Sequence, residues 1–443
     1  MDVETAPLPD SAAALLDRLE RRTATVAVLG LGYVGLPLAV EFASAGFSTC
    51  GLDVDSERIR TLSRGESYIG DVPTARLQAL VSSGRLRPSD DSAVIAEADA
   101  VCICVPTPLR KTKDPDLSYV IGAVEQVGAH LRRGQLVVLE STTYPGTTEE
   151  VVLPRLQGTG LVPGRDFFLA FSPERVDPGN GQWHTGNIPK VVGGVDPVST
   201  RLAAALYGHI VERVVPVSSS RVAEMVKLLE NTFRAVNIGL VNELALMCHD
   251  LGLDVWEVID AAATKPFGFM PFYPGPGVGG HCIPIDSFYL SWKARQTGFE
   301  SRFIELAGHI NSHMPRYVVQ RAADALNSVS KAIRGSRIHL FGMAYKANVG
   351  DARESPAIDV AVLLQQRGAV ISYSDPYVPA VSEHGLDLRA TPQDEALAAP
   401  PDLAIITTNH AAFDYPAIVA RSPLVLDTRN ALRGIAAPHV YRL

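Results

Sequence analysis

Val26-Ala27-Val28-Leu29-Gly30-Leu31-Gly32-Tyr33-Val34-Gly35 is the stretch whose reading decides the fold. A short β-branched run enters a glycine turn directly, and residues 36–45 follow as an apolar helical stretch. Residues 47–52 read as a second strand that ends at Asp53-Val54-Asp55. Strand, glycine turn, helix, strand and acid make a βαβ unit, with Asp53 standing 23 residues after Gly30. Each part has a mechanical role. The first glycine makes the tight turn, the second lets a pyrophosphate approach the backbone, and the third lets helix and strand pack closely. The helix N-terminus offers free N–H groups and a partial positive charge to the phosphates. The acid accepts hydrogen bonds from a ribose hydroxyl and repels a 2′-phosphate, so Asp53 favours NAD over NADP. Gly30, Gly32, Tyr33, Val34, Gly35 and Asp53 are therefore the expected NAD cradle.

Three more strands lead outward from this unit, each ending in a polar cluster. Residues 100–105 end in Pro106-Thr107-Pro108. Residues 135–139 end in Glu140-Ser141-Thr142-Thr143, and residues 167–171 end in Ser172-Pro173-Glu174-Arg175. In an open α/β sheet ligands sit beyond the carboxyl ends of the strands, so all three clusters face one cleft. The alternatives are local. Ser141 and Thr147 are also good helix caps, and Glu174 beside Arg175 also makes a surface ion pair.

Ser218-Ser219-Ser220 then caps a long helix running to about residue 251. It is apolar on most faces, as a helix is when buried between layers or against another subunit. On it, Lys227 and Asn231 are four residues apart and share a face, which points to a ligand or partner. A local pair of Glu224 with Lys227 is the competing reading. After a shorter helical stretch comes the loop Pro274-Gly275-Pro276-Gly277-Val278-Gly279-Gly280-His281-Cys282-Ile283-Pro284-Ile285-Asp286. Its glycines and prolines exclude helix and central strand, and the glycines admit a ligand close to the backbone. A thiol there is placed to act as a nucleophile, although with an ordinary pKa of about 8.5 it needs a nearby cation or base. A small buried structural residue is the plain alternative.

Residues 302–330 read as a linking helix broken by Pro315. Strand–helix alternation then resumes. A strand at 338–341 meets a turn at Gly342, a helix starts at Pro356, and strands follow at 369–373, 403–407 and, last, 424–426. The expected fold is α/β, with two doubly wound Rossmann-like domains joined by a helical central domain. The expected boundaries are an N-terminal extension at 1–22 with a short surface helix, an NAD-binding domain at 23–215, a helical dimerisation domain with the cysteine loop at 216–325, and a second Rossmann-like domain at 326–443.

The chain has 443 residues and a net charge of −8, without a basic arm or stripe, which argues against a nucleic-acid partner. Five scattered cysteines with no CxxC pair or zinc spacing point to free thiols in a reducing compartment and to no metal. Neither a secretory leader nor a bilayer-length apolar run is present in these residues, so a cytoplasmic enzyme with no membrane partner is expected.

Taken together, the stretches resemble the UDP-glucose/GDP-mannose dehydrogenase family from about residue 26 to 429. The specific motifs are Gly279-Gly280-His281-Cys282-Ile283-Pro284-Ile285-Asp286 and Glu224-Met225-Val226-Lys227-Leu228-Leu229-Glu230-Asn231. A third is Gly342-Met343-Ala344-Tyr345-Lys346 continuing through Asp351 and Arg353 to Pro356. The runs 172–180 and 263–269 resemble its N-acetyl-sugar branch. The resemblance implies a UDP-sugar substrate, two NAD⁺ per turnover, and oxidation of the C6 hydroxyl to a carboxylate through a thiohemiacetal and a thioester on Cys282. UDP-N-acetylglucosamine is the expected substrate, with UDP-N-acetylmannosamine or UDP-glucose as alternatives.

The resemblance also implies residue roles. Lys227 and Asn231 stabilise oxyanions, Asp286 stands near thiol and lysine, and Glu174 and Thr142 position water and move protons. Arg58, Pro106, Thr107, Ser141 and Thr142 join the cofactor set. Glu174, Arg175, Lys227, Asn231, Lys265, Phe272, Tyr273, Gly275, Gly279, Lys346, Arg353 and Arg429 form the substrate set. Two departures stand out. Lys265 lies where UDP-glucose enzymes carry an arginine that reaches a neighbouring subunit's sugar, and Asp177-Pro178 replaces a second glutamate. Both argue against plain UDP-glucose. Two readings outside this chemistry stay open: a two-electron hydroxyacid dehydrogenase, and a catalytically idle NAD-binding scaffold. A homodimer or larger homo-oligomer is expected around the long helix.

Overall fold

The computed structural model describes residues 8–109, 114–177, 182–280 and 283–443, with the backbone alone at Pro284. Cys282 and His281, and residues 178–180 of the branch motif, lie outside the described residues. The chain divides into two compact units, one ending at Glu230 and the other running from Asn231 to Leu443.

The first unit is built on eight strands: β1 (Thr25–Leu29), β2 (Ser48–Leu52), β3 (Leu86–Ser89), β4 (Ala100–Ile103), β5 (Gln135–Leu139), β6 (Phe167–Phe171), β7 (Lys190–Gly194) and β8 (Val214–Pro216). Their order is β3-β2-β1-β4-β5-β6-β7-β8. The strands from β1 to β6 pair in parallel, β7 runs antiparallel to β6, and β8 is parallel to β7. This is the doubly wound order whose direction reverses between β1 and β4, where a ligand crevice opens. Both faces are covered. Val26 and Val28 of β1 belong to one apolar cluster while Ala27 and Leu29 belong to the other, and β4 and β5 alternate in the same way.

The second unit carries a fully parallel sheet of β9 (Arg337–Phe341), β10 (Val370–Ser374), β13 (Leu403–Ile406), β14 (Val425–Asp427) and β15 (Val440–Arg442), in the order β10-β9-β13-β14-β15. A hairpin of β11 (Ala380–Glu383) and β12 (Leu386–Arg389) stands apart from it. Ahead of the sheet come the rest of the Ser220–Leu251 helix and the helices Val255–Ala263, Ile283–Gln296 and Arg302–Asn327. The protein is thus α/β, with two parallel-sheet Rossmann-like domains and a helical central domain.

Three readings of the sequence need correction. Pro315 does not break its helix, because Arg302–Asn327 runs through it. A proline there forfeits one backbone hydrogen bond, at a cost of about 3 kcal/mol. Pro315 is buried, as are Met314, Val318 and Val319 of the same helix, and apolar burial works against that loss. The N-terminal helix Asp10–Glu20 is amphipathic rather than superficial, since Ala12, Leu15 and Leu19 are buried in the core of the first unit. The strand ending at Asp427 is not the last, because β15 follows it; three half-buried residues give too weak an apolar signal to be read.

Candidate active site

The glycine turn fits a dinucleotide on its own geometry. Gly30 holds φ at +86°, and a Cβ on Gly35 would stand 1.9 Å from the Gly30 carbonyl oxygen, so neither position admits a side chain. A Cβ on Gly32 would meet no atom within 4 Å, which leaves open space over the backbone. The Gly35–Ser44 helix begins with no side-chain cap and no acid in its first turn, as an anion site requires. Asp53, at the end of β2, accepts from the Leu31 N–H at 2.8 Å and the Asp55 N–H at 3.0 Å, and Arg58 Nη1 stands 3.5 Å from it. Tyr68 donates to the Leu31 carbonyl at 2.6 Å and braces the turn from the other side.

Beyond β4, β5 and β6 lies a buried polar network. Glu140 accepts from Lys190 Nζ at 2.6 Å and from the Tyr207 hydroxyl. Glu174 Oε1 accepts the Arg175 and Val176 N–H groups at 2.8 and 2.6 Å, and its Oε2 lies 3.4 Å from Lys190 Nζ. Burial pushes the Glu174 carboxyl up, but Lys190, the Val176 N–H, Lys227 and the Arg175 N–H more than offset it, so its pKa lies below the ordinary glutamate value. Burial wins at Glu140, whose pKa is raised. Ser141 donates to the Val105 carbonyl at 2.7 Å and Thr147 to the Tyr144 carbonyl at 2.7 Å, so both hydroxyls tie loops together. Thr142 is half-buried beside them, Thr107 is buried and Pro106 is exposed. The Arg175 guanidinium is committed to Glu230, at 2.5 and 3.2 Å, and to the Pro189 carbonyl at 2.6 Å. It braces the loop after β6 against the long helix.

On that helix Glu224 does not pair with Lys227. It accepts the Gly146 N–H at 2.5 Å, the Thr148 N–H at 2.8 Å and the Thr148 hydroxyl at 2.7 Å, and burial raises its pKa to about 7. Lys227 and Asn231, one turn apart, are both buried. In the second unit Asn231 Nδ2 donates to Asp286 Oδ2, and both residues are almost fully covered. The cysteine loop is pinned at its start as well. The Gly275 N–H donates to Asn242 Oδ1 at 3.0 Å, and Asn242 donates to Asn311 Oδ1 at 2.9 Å. A Cβ on Gly279 would stand 2.7 Å from the Tyr345 Cβ and one on Gly280 2.9 Å from the Tyr345 ring, so these glycines are demanded by packing.

The cations expected to meet the substrate differ in their commitments. Arg353 is held by Asp351 in a forked pair at 2.7 to 3.1 Å. Arg429 donates Nε to the Thr407 carbonyl at 3.1 Å, and its Nη1 would lie 2.6 Å from a Cβ on Gly275. Burial lowers its pKa to about 10, and its guanidinium makes no ion pair among the described residues. Lys346 is half-buried. Lys265 lies exposed over the Phe267 ring at 5.0 Å. Tyr273 stacks on Trp256 at 5.8 Å and donates to Asp260, and Phe272 meets Phe233 edge-on. Among the described residues no group of His, Cys, Asp and Glu is arranged to hold a metal, and no helix is long and apolar enough to cross a membrane.

Sequence reasoning missed Lys190, Glu140 and the loop-holding role of Glu224. A signal existed for Lys190, since a lysine directly before Val191-Val192 opens an otherwise apolar strand.

Three family models match the chain in succession. They are the NAD binding domain of the UDP-glucose/GDP-mannose dehydrogenase family over residues 24–211, its central domain over 221–313 and its UDP binding domain over 339–434. A UDP-N-acetyl-D-mannosamine dehydrogenase of Pyrococcus horikoshii is 35% identical over 423 residues, spanning 94% of this chain and 98% of that protein. A UDP-N-acetyl-D-glucosamine 6-dehydrogenase of Pseudomonas aeruginosa is 36% identical over 393 residues, 88% of this chain and 91% of its own. The solved structure of the Pyrococcus horikoshii UDP-D-ManNAc dehydrogenase superposes with a TM-score of 0.86 at 33% identity, covering 94% of this chain and 98% of that one.

Proposed function

This chain belongs to the UDP-glucose/GDP-mannose dehydrogenase family and is an NAD-dependent UDP-sugar dehydrogenase, and from that premise we propose that it oxidises the C6 hydroxyl of a UDP-N-acetylhexosamine to the carboxylate. The hydroxyacid dehydrogenase and idle-scaffold readings give way to this one. Relatives named for the manno epimer outnumber those named for the gluco epimer, which moves the expected sugar from UDP-N-acetylglucosamine toward UDP-N-acetylmannosamine.

Gly30, Gly32, Tyr33, Val34, Gly35, Asp53 and Arg58, with Pro106, Thr107, Ser141 and Thr142 alongside, would hold NAD⁺, which when bound would supply a two-electron acceptor for each of two oxidations. The residues of this chain do the rest. The Lys227 ammonium, with Asn231, stabilises the oxyanion that develops at O6. The Cys282 sulfur adds to the aldehyde carbon and gives a thiohemiacetal, whose loss of hydride and proton leaves a thioester. Glu174 and Thr142 orient a water and take its proton; its attack on the thioester breaks the carbon–sulfur bond, releasing the carboxylate and returning the thiol. Lys346, Arg353 and Arg429 meet the UDP part, while Lys265, Phe272, Tyr273, Gly275 and Gly279 line the sugar's approach. Arg175 acts as a brace rather than a substrate contact.

The observation that carries this reading is the buried Asn231–Asp286 hydrogen bond. It supports placing the aspartate of the cysteine loop beside the helical turn that bears Lys227. Incubation with NAD⁺ and a panel of UDP-sugars, reading NADH and product mass, tests it. Two NADH per uronate are expected with a UDP-N-acetylhexosamine. One NADH with accumulating aldehyde overturns the thioester route.

A homodimer is part of the proposal. Met225, Leu229, Phe233, Leu240, Met247 and Leu251 leave an apolar stripe exposed along the Ser220–Leu251 helix. Light scattering at micromolar concentration should return at least twice the chain mass.

A further inference from the structure

The topology of the first sheet places a lysine under Glu174. β7 runs antiparallel to β6, with Ala170 opposite Gly194 and Phe171 opposite Gly193. Continued past the strand end, that register sets Glu174 opposite Lys190. The first residue of β7 therefore arrives at the sheet edge where β5 and β6 end, and Lys190 Nζ reaches both Glu140 and Glu174. All of this lies away from solvent, with only 5% of the Lys190 side chain exposed, none of Glu140 and 14% of Glu174. A buried lysine shared between two carboxylates is a costly arrangement that packing alone does not require.

Resting on the role proposed above for Glu174, we infer that Lys190 is the positioning residue of that carboxylate: it is the fixed counter-charge that keeps Glu174 ionised and turns its Oε2 away from the backbone. The acceptor count supports this. A carboxylate offers about four lone-pair sites. Two backbone N–H groups occupy Oε1, and Lys190 approaches Oε2 at the longer distance of 3.4 Å, which leaves Oε2 able to accept from a water.

The groups facing Glu174 from each neighbouring element set its charge. Glu140 faces it from the end of β5, Lys190 from β7, Lys227 from the long helix and Cys104 from the end of β4. Cys104 is buried with its thiol pKa pushed up, so it stays neutral. Glu140 competes with Glu174 for Lys190 and is itself held by Tyr207, whose hydroxyl also lies 3.7 Å from Cys102 Sγ. Without Lys190, two buried carboxylates and, among the described residues, the single cation Lys227 face each other, and one carboxyl takes up a proton.

The test is the pH profile of kcat/KM for UDP-sugar oxidation by the full chain. In Lys190→Met the acid limb should move up by about one pH unit or more, a roughly tenfold loss at the foot of the limb, below the wild-type midpoint, against a small loss at pH 9. Lys190→Arg should restore the wild-type limb. Glu140→Gln frees Lys190 for Glu174 and should move the limb down. A loss in Lys190→Met that is equal at every pH means a structural role and overturns the inference. If Lys190→Met does not fold, Glu140→Gln decides, and a limb that stays or moves up overturns it. Glu174→Gln separates the two levels. It should erase the limb. A wild-type limb there removes the reading of Glu174 and this inference together, whereas an erased limb beside an unmoved Lys190→Met profile removes the Lys190 inference alone.

Discussion

The two Rossmann-like units start from the same turn and finish with different sites. In the first, the Gly30 N–H donates to the Leu52 carbonyl and the Leu31 N–H to Asp53, each at 2.8 Å. In the second, the Gly342 N–H donates to the Ser374 carbonyl at 2.8 Å and the Met343 N–H to Asp375 at 2.6 Å. The frame is the same, down to a carboxylate at the end of the second strand. The difference lies in what is left over. Asp53 keeps acceptor sites for a ribose. Asp375 is saturated by the Met343, Ala344, Tyr377 and Val378 N–H groups and by His410, all within 3.0 Å. Gly32 leaves room for a pyrophosphate, while two residues past Gly342 stands Ala344, and the helix is delayed to Pro356–Gln366. A glycine turn with an acid at the next strand end is therefore an economical way to start a sheet. It becomes a dinucleotide site only when the acid is left unsaturated, the second glycine kept and the helix brought up at once. The match of the second unit to a UDP binding domain agrees with that difference.

The first sheet lies in the part that matches an NAD binding domain and the second in the part that matches a UDP binding domain. The largest expected effect concerns Cys282. Replacement by Ser should reduce uronate formation to traces while NAD and UDP-sugar still bind, because the protonated thiol adds little ground-state binding. Titration calorimetry with each ligand, beside product assays, checks this; near wild-type turnover would make the loop structural. Next in size are the glycines. Gly32→Val should fold but raise the KM for NAD tenfold or more, by filling the open space. Gly35→Ala should disrupt the turn itself, and Ala344→Gly in the second unit should leave both ligands unaffected.

The two acids should separate function from frame. Asp375→Asn sets an amide among backbone donors and should cost about 1–3 kcal/mol of stability without touching cofactor choice. Asp53→Asn should narrow the preference for NAD over NADP at a smaller cost. Equal melting temperatures for Asp375→Asn and wild type would break the comparison.

The last expected effect is in pH, where each group acts only over part of the range. His339, buried between Ser372 and Ser374, has its pKa lowered to about 4 by burial. Its unfolded value is about 6.5, so its contribution is full above pH 6.5 and is lost as pH falls toward 4. Glu224 in the first unit runs the other way. Its pKa of about 7 exceeds the unfolded value, so its contribution is full below about pH 4 and is lost as pH rises through 7. Each is worth on the order of 3 kcal/mol. Melting temperatures across this range should give a flatter acid side in His339→Gln and a flatter neutral side in Glu224→Gln.

The fold was legible where apolar runs and glycine agree. β1, the glycine turn and the strands at 135–139 and 167–171 follow from β-branched or aromatic runs that end in polar residues. What escaped was short or held by distant partners. β3, with one buried residue, and β15, with none, carry no readable pattern. Pro315 reads as a break because its burial is invisible along the chain. In the site, residues within a motif could be read, but Lys190 could not be joined to Glu174, since only the antiparallel turn of β7 brings positions 16 apart in sequence together. The commitment of Arg175 to Glu230, 55 residues away, was hidden for the same reason.

One continuous helix, Ser220–Leu251, carries Glu224, Lys227 and Asn231 on successive turns. A helix turns by about 100° per residue, so these side chains are held in phase as well as in distance. Substitutions on its exposed stripe leave that phase alone. A single inserted or deleted residue between Glu224 and Asn231 swings everything after it by more than a quarter turn, parting Asn231 from Asp286 or Glu224 from Gly146. Over the course of descent the letters between these three residues should change more readily than the length of the segment.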